Sequence, residues 1–201
     1  GNKHVIAWPH ILQMKNGASL TTSAAGTLTV SGPVVIDAGT TLAASGAATM
    51  RCDGTWTNNG TFTCATSTMS FRGGSATITT GGSAAAQRFY NVTINTSGTK
   101  TLSGDIDIDN TLRFTAGVFA SGNFTLYVGL NWTNNIGVGG FTFGTSTVYF
   151  NTGVGAADGA LGGSGQTTFY NVTVDRTTTT NSISNAAANA AIKDGSFPNV
   201  L

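Results

Sequence analysis

The chain has 201 residues, a formal net charge of +1 and only 8% charged residues, far below the roughly 25% of an ordinary globular domain. It has no concentrated basic run, which argues against a nucleic-acid partner, and no apolar stretch near the ~20 residues of a membrane-spanning helix. All eight acidic residues are Asp, and Gly, Thr, Ser, Ala and Asn dominate. Thr, Val, Phe and Tyr, which suit a pleated and half-buried surface, recur throughout, so the composition is that of an all-β protein.

Residues 1–16 differ from the rest. They hold both histidines, His4 and His10, together with Trp8, and their apolar residues crowd without a clean period. Pro9 would break a helix interior and would sit only at a sheet edge. This segment is expected to act as a cap or as a donor strand. From residue 17 to 184, short strand-like runs alternate with Gly or Asn turn signals. Thr27–Val30, Ser67–Phe71, Phe89–Ile94 and Thr145–Phe150 are examples, and many runs alternate apolar with polar residues. One face is therefore buried and the other wet. Residues 185–201 open on Asn185, continue through an Ala-rich stretch to Lys193, and reach Gly195. Those are helix start and stop signals, so this tail is expected to form either a short capping helix or a further irregular coil.

An internal repeat organises the middle of the chain. GTWTNNGTFTCATSTMSF, beginning at Gly54, returns degraded as LNWTNNIGVGGFTFGTSTVYF, beginning at Leu130. Trp56 matches Trp132 at 76 residues, Thr66–Thr68 match Thr145–Thr147 at 79, and FYNVT from Phe89 returns from Phe169 at 80. Such drift is what duplication with loop insertions leaves, and a long repeat outranks local signals. Upstream, Ala44–Gly46 match Ala120–Gly122, while Gly26–Leu42 and Thr99–Phe114 agree in rhythm but not in spacing. Short strands of this kind fit a sandwich or a solenoid. Asn59–Gly60 reads locally as a hairpin turn, but its second copy does not. Single Gly and Asn corners, a long repeat and few charges favour a single elongated parallel β-helix, or β-solenoid, with coils of roughly 20–30 residues.

The blocks Trp56–Phe62, Thr66–Phe71 and Gln87–Ile94, with their second copies, resemble the repeats of very large secreted or surface-anchored bacterial adhesin-like proteins. That resemblance covers most of residues 26–183 and implies a parallel β-helix. It implies little about activity, since such repeats serve as stalks and as binding surfaces. This chain, with under two units, is short beside those arrays.

No enzymatic constellation stands out. There is no Glu, and both histidines lie near the N-terminus. The one acidic cluster is Asp105, Asp107 and Asp109, which alternation places on one strand face. Three carboxylates attract Ca²⁺, but a strand cannot wrap an ion, so a solvated polar face is the expectation. No cofactor and no metal site is expected. Cys52 and Cys64 are the only cysteines. In an exported chain a bridge is the natural reading, with two buried free thiols as the alternative. Six Asn-x-Ser/Thr sequons occur, at Asn59, Asn91, Asn95, Asn123, Asn131 and Asn171; they make glycosylation testable. The Thr/Gly/Asn-rich, weakly charged composition and a start at Gly1 favour export with a removed signal.

These features point to a non-enzymatic extracellular or cell-surface protein: a structural subunit whose partner is a further copy of itself. Val5, Ile6, Trp8, Ile11, Leu12 and Met14 carry more apolar surface than one strand needs, so they are the expected subunit interface, supplied head-to-tail to a neighbour. The alternative is an adhesin fragment that binds carbohydrate or a surface through one face of the coil.

Overall fold

The computed structural model describes residues 5–8, 10–82, 84, 87–151, 159–175 and 183–185. Its strands are short and parallel, and each lies beside its counterpart one coil along. The first coil holds β1 (Val5–Trp8), β2 (Leu12–Met14) and β3 (Ser19–Thr21). The second holds β4 (Thr27–Val30), β5 (Val34–Ile36) and β6 (Thr41–Ala43). The third holds β7 (Thr49–Cys52), β8 (Trp56–Asn58) and β9 (Thr61–Thr63). β10 (Thr68–Phe71) and β11 (Ala76–Thr79) follow. Three sides result: side A stacks β1, β4, β7 and β10; side B stacks β2, β5, β8 and β11; side C stacks β3, β6 and β9. This is the expected parallel β-solenoid.

Two long strands, β12 (Phe89–Leu102) and β13 (Ile106–Ala120), turn corners without breaking. Asn91–Ile94 of β12 lie on β10 and Lys100–Leu102 lie on β11. Residues 106–108 of β13 take side C, 111–114 side A and 118–120 side B. The remaining strands continue the rotation: β14 (Thr125–Val128), β15 (Asn131–Asn134), β16 (Phe141–Thr142), β17 (Thr147–Phe150), β18 (Gly159–Gly162), β19 (Asn171–Val174) and β20 (Ile183–Asn185). β14, β17 and β19 stack on side C, and β15, β18 and β20 on side A.

The period of two along each strand sends alternate side chains inward, where in-register stacking makes ladders. Leu12, Val34, Trp56, Ile78 and Leu102 form one; Val30, Cys52, Phe71, Ile94 and Phe114 form another. All ten are buried. Burying a Phe or Trp removes ~150–250 Å² from water, so these ladders are the main source of stability. Asn59–Gly60 is a corner between sides B and C and not a hairpin. A Cβ on Gly60 would stand 2.4 Å from the Asp37 carbonyl oxygen, so only glycine lets the coils approach there.

The repeat reappears as packing. Trp56, Phe62, Phe71 and Phe89 pack as one aromatic group, and Trp132, Phe141, Phe150 and Phe169 pack as another. Trp56 meets Phe62 edge-on at 5.1 Å, and Trp132 meets Phe141 edge-on at 4.9 Å. Trp56–Phe71 and Trp132–Phe150 are 6.2 and 6.5 Å apart. Yet Trp56 stands on side B and Trp132 on side A; Phe71 stands on side A and Phe150 on side C. The second copy is turned by one side, because copy-to-copy spacing spans three coils and two sides of a fourth. Tyr90 and Tyr170 follow the equivalent phenylalanines, but Tyr90 packs against the core while Tyr170 is exposed.

Candidate functional site

The N-terminal segment forms the first rung of its own chain's coil. Val5–Trp8 pair with Thr27–Val30, and Leu12–Met14 with Val34–Ile36. Leu12 and Met14, named above as interface residues, point into their own core at 6% and 5% exposure, while Ile11 is 45% exposed. The side chains of Val5, Ile6 and Trp8, and nearly all of the tail over 185–201 expected as a capping helix or a further coil, lie outside the described residues.

The expected Cys52–Cys64 bridge is absent: both are free, buried thiols. Cys52 ends β7 on side A, where its in-register neighbours are Val30 and Phe71. Cys64 follows β9 on side C in the same coil. Stacking brings together residues one coil apart, about 20 positions, and these two are 12 apart, so they sit on different sides. Burial pushes the Cys52 thiol up to about 12, against the opposing pull of Lys100. Burial also raises Cys64, helped by the charge of Asp109.

The three aspartates are not the solvated face that alternation suggested. Arg88, one coil earlier, reaches Asp109 at 3.2 Å and lies 3.9 Å from Asp107. Asp107 is buried at 9% exposure. Desolvation, then the neighbouring Asp109 charge, raises Asp107 to about 6 despite Arg88. Burial raises Asp109 as well. Asp105 instead accepts a hydrogen bond from the Thr125 backbone N–H at 2.8 Å. Among the described residues no group of three His, Cys, Asp or Glu side chains is placed to hold a metal ion.

Sequence reasoning missed Lys100. It is fully buried, and its Nζ donates to the Asp53 carbonyl oxygen at 3.0 Å. Burial lowers its pKa. The signal was present: Lys100 shares strand parity with Leu102, an inward position.

The two outer surfaces that matter differ in chemistry. On side A the outward rungs run Thr29, Arg51, Ser70, Thr93, Arg113 and Thr133. Beside them run Thr27, Thr49, Thr68, Asn91, Thr111 and Asn131. These positions hold two arginines and no carboxylate. A cleft of about 310 Å³ opens there, lined by Thr68, Asn91, Val92, Thr93, Thr111 and Arg113. On side C, the outward positions run Asp107, Tyr127, Tyr149 and Thr173, with the two tyrosine rings 5.4 Å apart. The Tyr149 hydroxyl is hydrogen-bonded to the Asp175 carboxylate.

No protein-family model matches the chain, and neither a curated protein nor a solved structure is significantly similar to it. No helix among the described residues is long and apolar enough to cross a membrane.

Proposed function

We propose that the chain is a structural element of an extracellular filament or surface appendage, a rod segment that associates with further copies of itself. The carrying observation is the continuous interior ladder, which commits Trp56, Trp132 and most of the phenylalanines and aliphatic residues to stacking from Leu12 onward. A parallel ladder extends by adding rungs in the same register. In this reading the first rung, Val5–Trp8 with Leu12–Met14, is the head-to-tail contact, made by stacking on a neighbour rather than by insertion into it. Unlike ends joined this way give an open filament. The purified chain, imaged by negative-stain microscopy over a concentration series, should form filaments one coil wide. Discrete short rods at every concentration would overturn this reading.

A second reading is favoured by side A. Its hydroxyl rungs and two arginines that make no ion pair among the described residues support an adhesin-like role in which the rod also presents a carbohydrate-binding face, in keeping with the resemblance of its repeats.

A further inference from the structure

We propose that the side A cleft binds a carboxylate-bearing polysaccharide, with Arg113 and the amide of Asn91 gripping one carboxylate and Arg51 engaging a second. This rests on the carbohydrate-binding reading and adds the ligand class.

The cleft carries one guanidinium, one carboxamide and three threonine hydroxyls. Two of its acceptors are already used internally. Asn110 Nδ2 donates to Asn91 Oδ1 at 2.9 Å, and Asn131 Nδ2 donates to Thr111 Oγ1 at 3.3 Å. Those bonds leave the Asn91 amide hydrogens and the Thr111 hydroxyl hydrogen to donate elsewhere. The Arg113 guanidinium makes no ion pair or hydrogen bond among the described residues. A cleft that is rich in donors and holds no carboxylate of its own selects an anion, and a planar guanidinium fork fits a carboxylate with two parallel bonds.

Extension beyond one anion follows from register. Arg51, Ser70, Thr93 and Arg113 occupy consecutive rungs of one outward ladder. Rungs lie about 4.8 Å apart, which puts the two arginine backbones about 14 Å apart. Arg51 is exposed and likewise unpaired among the described residues. An isolated small anion would use one arginine. A linear polymer that carries a charge at intervals uses both, with the half-buried Thr93 hydroxyl between them facing its sugar hydroxyls and Ser70 buried beneath. The repeating ladder suits an extended chain better than a compact ligand.

The test is affinity electrophoresis of the full chain in gels containing polygalacturonate, neutral dextran, or double-stranded DNA at matched charge, with free galacturonate as competitor. Retardation by polygalacturonate alone is expected. Losing a charged hydrogen-bond partner costs ~1.5–3 kcal/mol, so Arg113→Gln should weaken it about tenfold or more. Arg51→Gln should weaken it less, and Arg113→Lys should fall between Arg113→Gln and the parent. These side chains are exposed, and unchanged far-UV circular dichroism verifies folding. Free galacturonate should compete only at far higher concentration. Retardation by dextran, unchanged in Arg113→Gln, would overturn the acidic-ligand proposal and leave carbohydrate binding standing. Equal retardation by DNA would reduce the cleft to a general polyanion surface and overturn it. Retardation by neither polysaccharide would overturn both.

Discussion

The two copies of the repeat agree inside and along one outward row, where Thr49, Thr68 and Asn91 answer to Thr125, Thr147 and Asn171, and they differ along the other outward row. Stacking pairs make the comparison exact in register: Val30–Cys52–Phe71–Ile94 on side A corresponds to Ile108–Val128–Phe150–Val174 on side C. The inward positions stay apolar throughout. The outward ladder beside them reads Thr29, Arg51, Ser70, Thr93 in one copy and Asp107, Tyr127, Tyr149, Thr173 in the other. Core packing tolerates few changes at close-packed density, whereas an outward position is held by little beyond its backbone. Because the second copy is turned by one side, the two rewritten ladders also face different directions. The row that differs is basic on side A, with Arg51, and acidic and aromatic on side C, with Asp107, Tyr127 and Tyr149.

The largest expected effect lies in the core. Phe71→Ala should cost about 3–5 kcal/mol, read from urea unfolding. Phe150→Ala should cost less, because its lower neighbour Val174 is 52% exposed and that end can relax into the space. Equal losses would mean that the two aromatic groups are packed alike to their edges.

A corner offers the next test. Ala65 and Gly144 are equivalent, and both have a left-handed backbone, with φ of 43° and 53°. A Cβ on Gly144 would stand 2.2 Å from the Gly122 carbonyl oxygen. Gly144→Ala should therefore lose about 2 kcal/mol or more, from strain plus clash. Ala65→Gly should change stability by under about 1 kcal/mol, since relief of strain offsets the added freedom of the unfolded chain. A harmless Gly144→Ala would contradict the stacked corner.

Asp107 separates the copies by pH, since its counterpart Thr29 cannot titrate. Its folded pKa of about 6 lies above the ordinary 3.8, so the folded state binds the extra proton between those values. Stability from this group is therefore highest below about pH 4, falls as pH rises through 4 to 6, and stays reduced above 6. The expected span is up to about 3 kcal/mol. Asp107→Asn should flatten that slope in unfolding measured across the same window. An unchanged slope would remove Asp107 from the account.

Legibility from sequence followed the physics of each position. Repeat spacing and strand alternation carried the parallel solenoid, because ladders depend on side-chain type and parity alone. The rotation of the second copy was not legible, since it depends on how β12 and β13 turn corners without a break. The disulfide failed for the same reason: which residues stack depends on coil length, and Cys52 and Cys64 fall half a coil apart. Arg88 could not be assigned to Asp107 and Asp109 without the register that places Phe89 on Ile108. The cleft on side A needed the internal bonds to Asn91 and Thr111, which no spacing reveals.

A small effect is expected at Cys52, whose counterpart is Val128. Cys52→Val should change stability by less than about 1.5 kcal/mol. Alkylation without reductant should find two thiols, with Cys64 reacting before Cys52.

A stapled rung reads the turn between the copies. Thr111 and Asn131 are in-register neighbours on side A only if the second copy is turned; unturned, Asn131 would stand on side B. Adjacent rungs are within disulfide reach. With Cys52 and Cys64 replaced by Val, the Thr111→Cys/Asn131→Cys chain should oxidise completely to one intramolecular bridge, mapped by peptide mass, with raised resistance to urea. Two thiols that stay alkylatable under oxidant in the folded protein would contradict the turned arrangement.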